Sequence, residues 1–158
     1  NYTAQLEKTA ERALRRYKAD TQIVYMIAES YQVIGMTDEA IELLEEHLKA
    51  KPWDVHCLYQ LGLIYQDRGQ YDKAIASGQR AIELDPNSNN NYEKLGQTLS
   101  FAERPDEAIE FIKKGMRLNP FPEPFYYIDL GRCYTLKGEY EKALKEYKKA
   151  LQRRPKAP

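Results

Sequence analysis

The stretch VHCLYQLGLIYQDRGQYDKAIASGQRAIELDPNS, residues 55–88, decides the fold. Leu58, Leu61, Gly62 and Tyr65 fall at i, i+3, i+4 and i+7, the spacing of one helix face. Ala74, Ile75, Gly78, Ala81 and Ile82 draw a second stripe of the same kind. Gly69 lies between the stripes and suits a left-handed helix end. Asp72 puts an acid at the positive start of the second helix, and Pro86 cannot continue it. The stretch therefore reads as two helices packed face to face. Gly62 and Ala74 are small where the pair must cross closely.

The same pattern extends outward when the chain is cut before Thr21, Val55, Asn89 and Pro124, at spacings of 34, 34 and 35 residues. With each unit numbered from 1, position 8 holds Ala28, Gly62, Gly96 and Gly131, and position 20 holds Ala40, Ala74, Ala108 and Ala143. Position 32 holds Pro52, Pro86, Pro120 and Pro155. The expected units are 21–54, 55–88, 89–123 with one inserted residue, and 124–158 with a short tail. Residues 1–20 fit as the second helix of a preceding half unit, through Leu6, Ala10, Ala13 and Leu14. Nine helices are expected: about 3–18, 21–34, 37–50, 55–68, 71–84, 89–102, 105–118, 124–137 and 140–153.

Leu61-Gly62-x-x-Tyr65, Ala74, Ala81 and Asp85-Pro86 resemble the tetratricopeptide repeat signature. So do Leu130-Gly131-x-x-Tyr134, Gly138-x-Tyr140, Ala143, Tyr147, Ala150 and Pro155, and the resemblance covers residues 21–155. It implies an all-α, right-handed superhelical stack of antiparallel helix pairs. It also implies a concave face lined by the first helices. The resemblance is specific for the fold and weak for function, because the family serves many partners. Some positions depart from the pattern: His47 and Gly115 at position 27, and Gly78 at position 24, where the family usually has an aromatic. Gly78 either leaves a hole for a ligand or is filled by a larger residue across the interface. The spacer Asn119–Phe125 is stiffened by its prolines, with Phe121 either tucked against the stack or part of a contact surface.

Composition narrows the function classes. Lys plus Arg and Asp plus Glu both total 24, so the chain lacks the basic footprint of a general nucleic-acid or anionic-membrane binder. No apolar run approaches a membrane span, and the mean hydropathy is −0.74. Asn1–Gln5 lacks a signal-peptide pattern and an initiator Met, so the chain reads as a piece of something longer, with the cytoplasm as the expected compartment. Cys57 and Cys133 are expected as buried free thiols. His47, His56, Cys57 and Cys133 have no metal-ligand spacing, and no phosphate loop, nucleophile motif or catalytic pair is present. The expectation is no enzyme, no cofactor and no metal.

A binding face follows by elimination. Positions 4, 7, 8 and 11 of each first helix are used on the second helix, leaving 2, 5, 6, 9, 12 and 13. That side carries Tyr25, Met26 and Glu29, then His56, Tyr59, Gln60, Leu63 and Asp67. It continues with Asn90, Glu93, Lys94, Gln97 and Phe101, then Phe125, Ile128, Asp129 and Arg132. Rigid aromatics among polar amides anchor an apolar peptide or an amphipathic helix, so the expected partner is a protein, not nucleic acid or membrane. The carboxylate clamp of chaperone-tail receptors in this family requires Lys and Asn at fixed positions. The corresponding Tyr25, Glu29, Gln60, Asn90 and Lys94, or Tyr59, Leu63, Lys94, Phe125 and Asp129, do not build it.

Two other readings stand beside the scaffold. Val24–Val55 also resembles a pentatricopeptide repeat, which would make the stack an RNA binder, although the face is not basic. Alternatively the chain is a regulatory or assembly segment of a larger enzyme or complex. Leu144, Tyr147 and Leu151 point where a next unit would pack, and the first helix lacks its own partner. Both ends are thus expected to expose apolar surface and to allow self-association.

Overall fold

The computed structural model describes residues 2–17 and 20–153. The expected end of the first helix at residue 18, and Pro155 with the tail, lie outside them. The helices are α1 Tyr2–Tyr17, α2 Thr21–Val33, α3 Thr37–Ala50, α4 Val55–Asp67, α5 Tyr71–Leu84, α6 Asn89–Phe101, α7 Pro105–Leu118, α8 Pro124–Leu136 and α9 Tyr140–Arg153. They form an all-α superhelical stack with no strand among the described residues. The expected last residues of four helices, Ile34, Arg68, Ala102 and Lys137, are instead C-caps.

Capping chemistry explains the sharp boundaries. The Asp20 carboxylate accepts from the Gln22 and Ile23 N–H groups, Asp54 from Cys57 N–H, and Ser88 Oγ from Asn91 N–H. Glu123 makes no such bond, but Pro124 at the first turn of α8 has no N–H to satisfy. Three first helices end on a glycine in the left-handed conformation: Gly35, Gly69 and Gly138, with φ of 83°, 70° and 74°. The third unit has no glycine at this place. Glu103 takes the same conformation, with φ of 57°, and its N–H still donates to Ser100 O.

Each first helix packs on the helix that follows it, α2 on α3, α4 on α5, α6 on α7 and α8 on α9. First helices also touch one another, α2 against α4 and α6 against α8. In two pairs, α6 on α7 and α8 on α9, the close crossing needs the glycine at position 8. A Cβ on Gly96 would lie 2.5 Å from Ile112 Cγ1, and one on Gly131 would enter the ring of Tyr147. Tyr147 thus packs inward on α8, unlike the exposed Leu144 and Leu151 of the same helix.

The apolar interior falls into two clusters. One runs from Ala10 through Leu44, Cys57 and Ile64 to Ala74. The other runs from Ile75 through Leu95, Leu99, Ile112 and Tyr126 to Cys133. They divide within α5, between Ala74 and Ile75, next to Gly78.

Two expected outcomes test this packing by urea unfolding. Gly96→Ala and Gly131→Ala each lose about 1–3 kcal/mol by overpacking the crossing. Glu103→Gly gains about 1 kcal/mol, because glycine meets no Cβ clash in the left-handed region.

Candidate partner-binding face

The four first helices α2, α4, α6 and α8 present the residues expected to line a groove. Met26, Glu29, His56, Asn90, Phe101, Phe125 and Ile128 are exposed. Tyr25, Tyr59, Leu63, Lys94, Gln97 and Arg132 are half-buried. Gln60, Glu93 and Asp129 are a correction: they are buried, Glu93 to 1% exposure. The reason is the contact between neighbouring first helices, which covers side chains at positions 5 and 6 that an isolated helix would expose. Gln60 Nε2 donates to Gln32 Oε1 across α4 and α2, and Thr98 Oγ1 donates to Gln66 Oε1 across α6 and α4, at 3.0 Å.

Cations bridge the aromatics on this face. Lys94 Nζ sits 5.5 Å from the Tyr59 ring centre and 6.0 Å from that of Phe125. The Arg132 guanidinium lies 4.1 Å over Phe101, and Phe125 stacks on Tyr126 with centres 4.9 Å apart. Such contacts hold flat side chains in fixed orientation, at about 0.5–1 kcal/mol each when exposed. Pinning the rings in advance reduces what a partner must order.

Beneath them lies a buried acidic pair. Asp129 is held by Arg132 Nη2, and Glu93 has Lys94 Nζ at 3.3 Å. Neither Glu93 oxygen has a hydrogen bond of good geometry. Burial pushes Glu93 up to about 7; Lys94 opposes the rise and the nearby Asp129 adds to it. Burial also raises Asp129, against the pull of Arg132.

A cavity of about 260 Å³ opens between α4, α5 and α6. Tyr59, Leu63, Lys94 and Gln97 line it from the groove side, and Gly62, Ser77 and Gly78 stand deeper. Leu95 of α6 fills only one side of Gly78, where a Cβ would meet it at 3.1–3.6 Å. Elsewhere, Phe121 does not tuck against the stack. It is 81% exposed, since its two flanking prolines and the bond from its own N–H to Asn119 Oδ1 hold the spacer away from the helices.

The structure also joins residues that spacing rules left apart. His47 Nε2 lies 2.9 Å from Asp54 Oδ2, and Thr21 Oγ1 donates to the same oxygen at 2.6 Å. With Cys57, these put three potential metal-ligand atoms within 4.8 Å of one another. Burial, with Asp54 adding, pushes the Cys57 thiol up to about 12, so it keeps its proton. Bonds from Thr21, His47 and the Cys57 N–H outweigh burial and hold the Asp54 carboxyl below its ordinary value. The group pins the start of α4 to α2 and α3. The signal in the sequence was an N-cap Asp54 placed after an inward-facing histidine at position 27.

Tetratricopeptide repeat models match residues 54–120 and 124–157. The chain belongs to the tetratricopeptide repeat family. The human antiviral innate immune response effector IFIT1 is 29% identical over 152 residues, 96% of this chain and 29% of that protein. The human protein O-mannosyl-transferase TMTC1 is 26% identical over 130 residues, 80% of this chain and 15% of that protein. This tetratricopeptide chain therefore spans under a third of the length of these relatives. Among solved structures, a crystal structure of MamA superposes with a TM-score of 0.76 at 27% identity, covering 92% of this chain and 85% of MamA. No helix among the described residues is long and apolar enough to cross a membrane.

The buried acid gives this tetratricopeptide stack a defined pH dependence. Glu93 binds its proton more tightly folded than unfolded, so its contribution is full below about pH 4.5 and is lost as pH rises through about 7. Glu93→Gln removes that loss. Chemical denaturation should show the variant gaining on the parent protein by on the order of 3 kcal/mol at pH 8, with most of the gain absent at pH 5.

Proposed function

We propose that the face built by α2, α4, α6 and α8 binds a peptide segment or an amphipathic helix of a protein partner. Membership of the family makes the chain a protein-interaction scaffold in general terms, on a fold that is typically not catalytic. The observation carrying the finer reading is the row of aromatics, Tyr59, Phe101 and Phe125, held by Lys94 and Arg132 beside an open cavity. Flat apolar surfaces with fixed orientation and a polar border have the character of binding hot spots. Tyr25, Met26, Glu29, His56, Leu63, Asn90, Gln97 and Ile128 extend the face on either side. Gln60 and Asp129 act from beneath it, by holding neighbours in place.

The reading also takes the chain as units 21–54, 55–88, 89–123 and 124–158 after a leading helix. Specificity then lies at the positions the repeat signature leaves open.

The test uses a random 12-residue peptide library displayed on phage and selected on the full chain. Synthetic copies of the selected peptides are titrated by fluorescence anisotropy. Tyr59→Ala and Phe125→Ala should each weaken binding by about 10-fold or more, with unchanged helical circular dichroism. Affinity insensitive to both substitutions overturns the reading, as does selective, salt-dependent capture of single-stranded RNA without peptide binding.

A further inference from the structure

We propose that the cavity over Gly62 and Gly78 is a socket for one bulky apolar side chain of an acidic partner peptide. The inference rests on the groove reading above and adds what the groove selects.

The other units show what belongs in this space. At position 24 the chain places Leu44, Ile112 and Tyr147, opposite Ala28, Gly96 and Gly131 at position 8 in the repeat frame. In the third unit Ile112 fills the space over Gly96, and in the fourth the Tyr147 ring fills the space over Gly131. The second unit alone has glycine at both positions, Gly62 and Gly78. A Cβ on Gly62 would meet nothing closer than Ser77 Cβ at 3.5 Å and Ala74 O at 3.7 Å, ordinary contact distances. Leu95 of α6 closes over one side of Gly78, and the space left open lies toward Gly62.

What remains is a cavity of about 260 Å³, where an apolar cavity of about 150 Å³ already accepts a benzene ring. The repeat thus supplies the chemistry of the occupant. An aliphatic or aromatic side chain of Leu, Ile or Tyr size seats on Gly62 from the groove, as Ile112 and Tyr147 seat from within.

Charge selects what flanks it. Among the described residues, Lys94 is the only Lys, Arg, Asp or Glu lining the cavity. Its ammonium keeps about a third of its side chain exposed and meets Glu93 at 3.3 Å from below. Burial holds Glu93 near half protonation at neutral pH, so it only partly neutralises Lys94. An aspartate or glutamate beside the bulky residue completes the pairing.

The selected peptides of the preceding experiment, with the full chain, provide the test. The expected consensus has one bulky apolar residue adjacent to Asp or Glu. Changing that residue to Ala should weaken binding by about 20-fold. Gly62→Leu should fill the socket from α4, keep the helical spectrum, and remove the difference between the bulky and Ala peptides. Should Gly62→Leu fail to fold, Gly62→Ala reads the same coupling in a double-mutant cycle with the two peptides. Lys94→Met should lose the preference for acidic flanks at high and low salt alike.

Binding weakened by Tyr59→Ala but untouched by Gly62→Leu overturns the socket and leaves the groove. Binding untouched by Tyr59→Ala, Phe125→Ala and Gly62→Leu overturns both. Peptides selected without a bulky residue likewise overturn the socket, because water then suffices to fill it.

Discussion

The close crossing of the paired helices is the constraint on which the rest of the structure depends. A residue without a large side chain at position 8 lets the second helix lie against the first, and one side chain at position 24 then seals the crossing. Ile112 over Gly96 and Tyr147 over Gly131 show the arrangement at its tightest, with no room for a single added carbon. Once that contact is set, the remaining apolar stripe of each helix meets its neighbour and the stack propagates by repetition. Because each pair is sealed separately, one pair can change its filling without disturbing the others. The second pair does so, with glycine on both sides.

The polar groups inside the stack follow a different rule. Asp54 is buried but fully used, by Thr21, His47 and the N–H of Cys57, and its carboxyl stays ionised. Glu93 is buried and poorly used, and burial pushes its carboxyl up to about 7. The contrast is one of hydrogen bonding more than of depth. A carboxylate taken from water needs donors in its place, and a helix N-terminus offers them while the flank of α6 does not. Asp54 therefore serves to fix the turn between α3 and α4. Glu93 remains a weak point under the aromatic face, coupled through Lys94 and Asp129 to residues that border the groove.

Much of the fold was legible in the chain. The 34-residue spacing located every helix pair, because glycine, small residue and proline recur where turn, crossing and stop require them. The one place where the rule was broken, Glu103, still formed the same turn, because the Ser100 and Leu99 carbonyls are there to receive the bonds whatever side chain follows. The candidate face was less legible. Residues on one side of an isolated helix were assigned to solvent, yet Gln60, Glu93 and Asp129 are covered by the adjoining first helix. Periodicity describes a helix and its own partner, whereas that coverage depends on how one pair leans on the next. His47 and Asp54 were missed for a similar reason. They lie on opposite sides of a turn, and only its path brings them within 2.9 Å.

By itself the sequence determined the all-α repeat, its period, the turns and the glycine pair that departs from the rest. Those follow from local chemistry: which backbone angles a residue permits and which side of a helix it occupies. The tertiary structure alone decided that the departure leaves an open cavity, that Lys94 stands at its rim, and that a buried, poorly hydrogen-bonded acid lies beneath. Whether a missing side chain leaves space or is closed over depends on what every neighbour can move into the gap. Here Leu95 closes one side of Gly78, and Gly62 meets only Ser77 and Ala74 at ordinary contact distances.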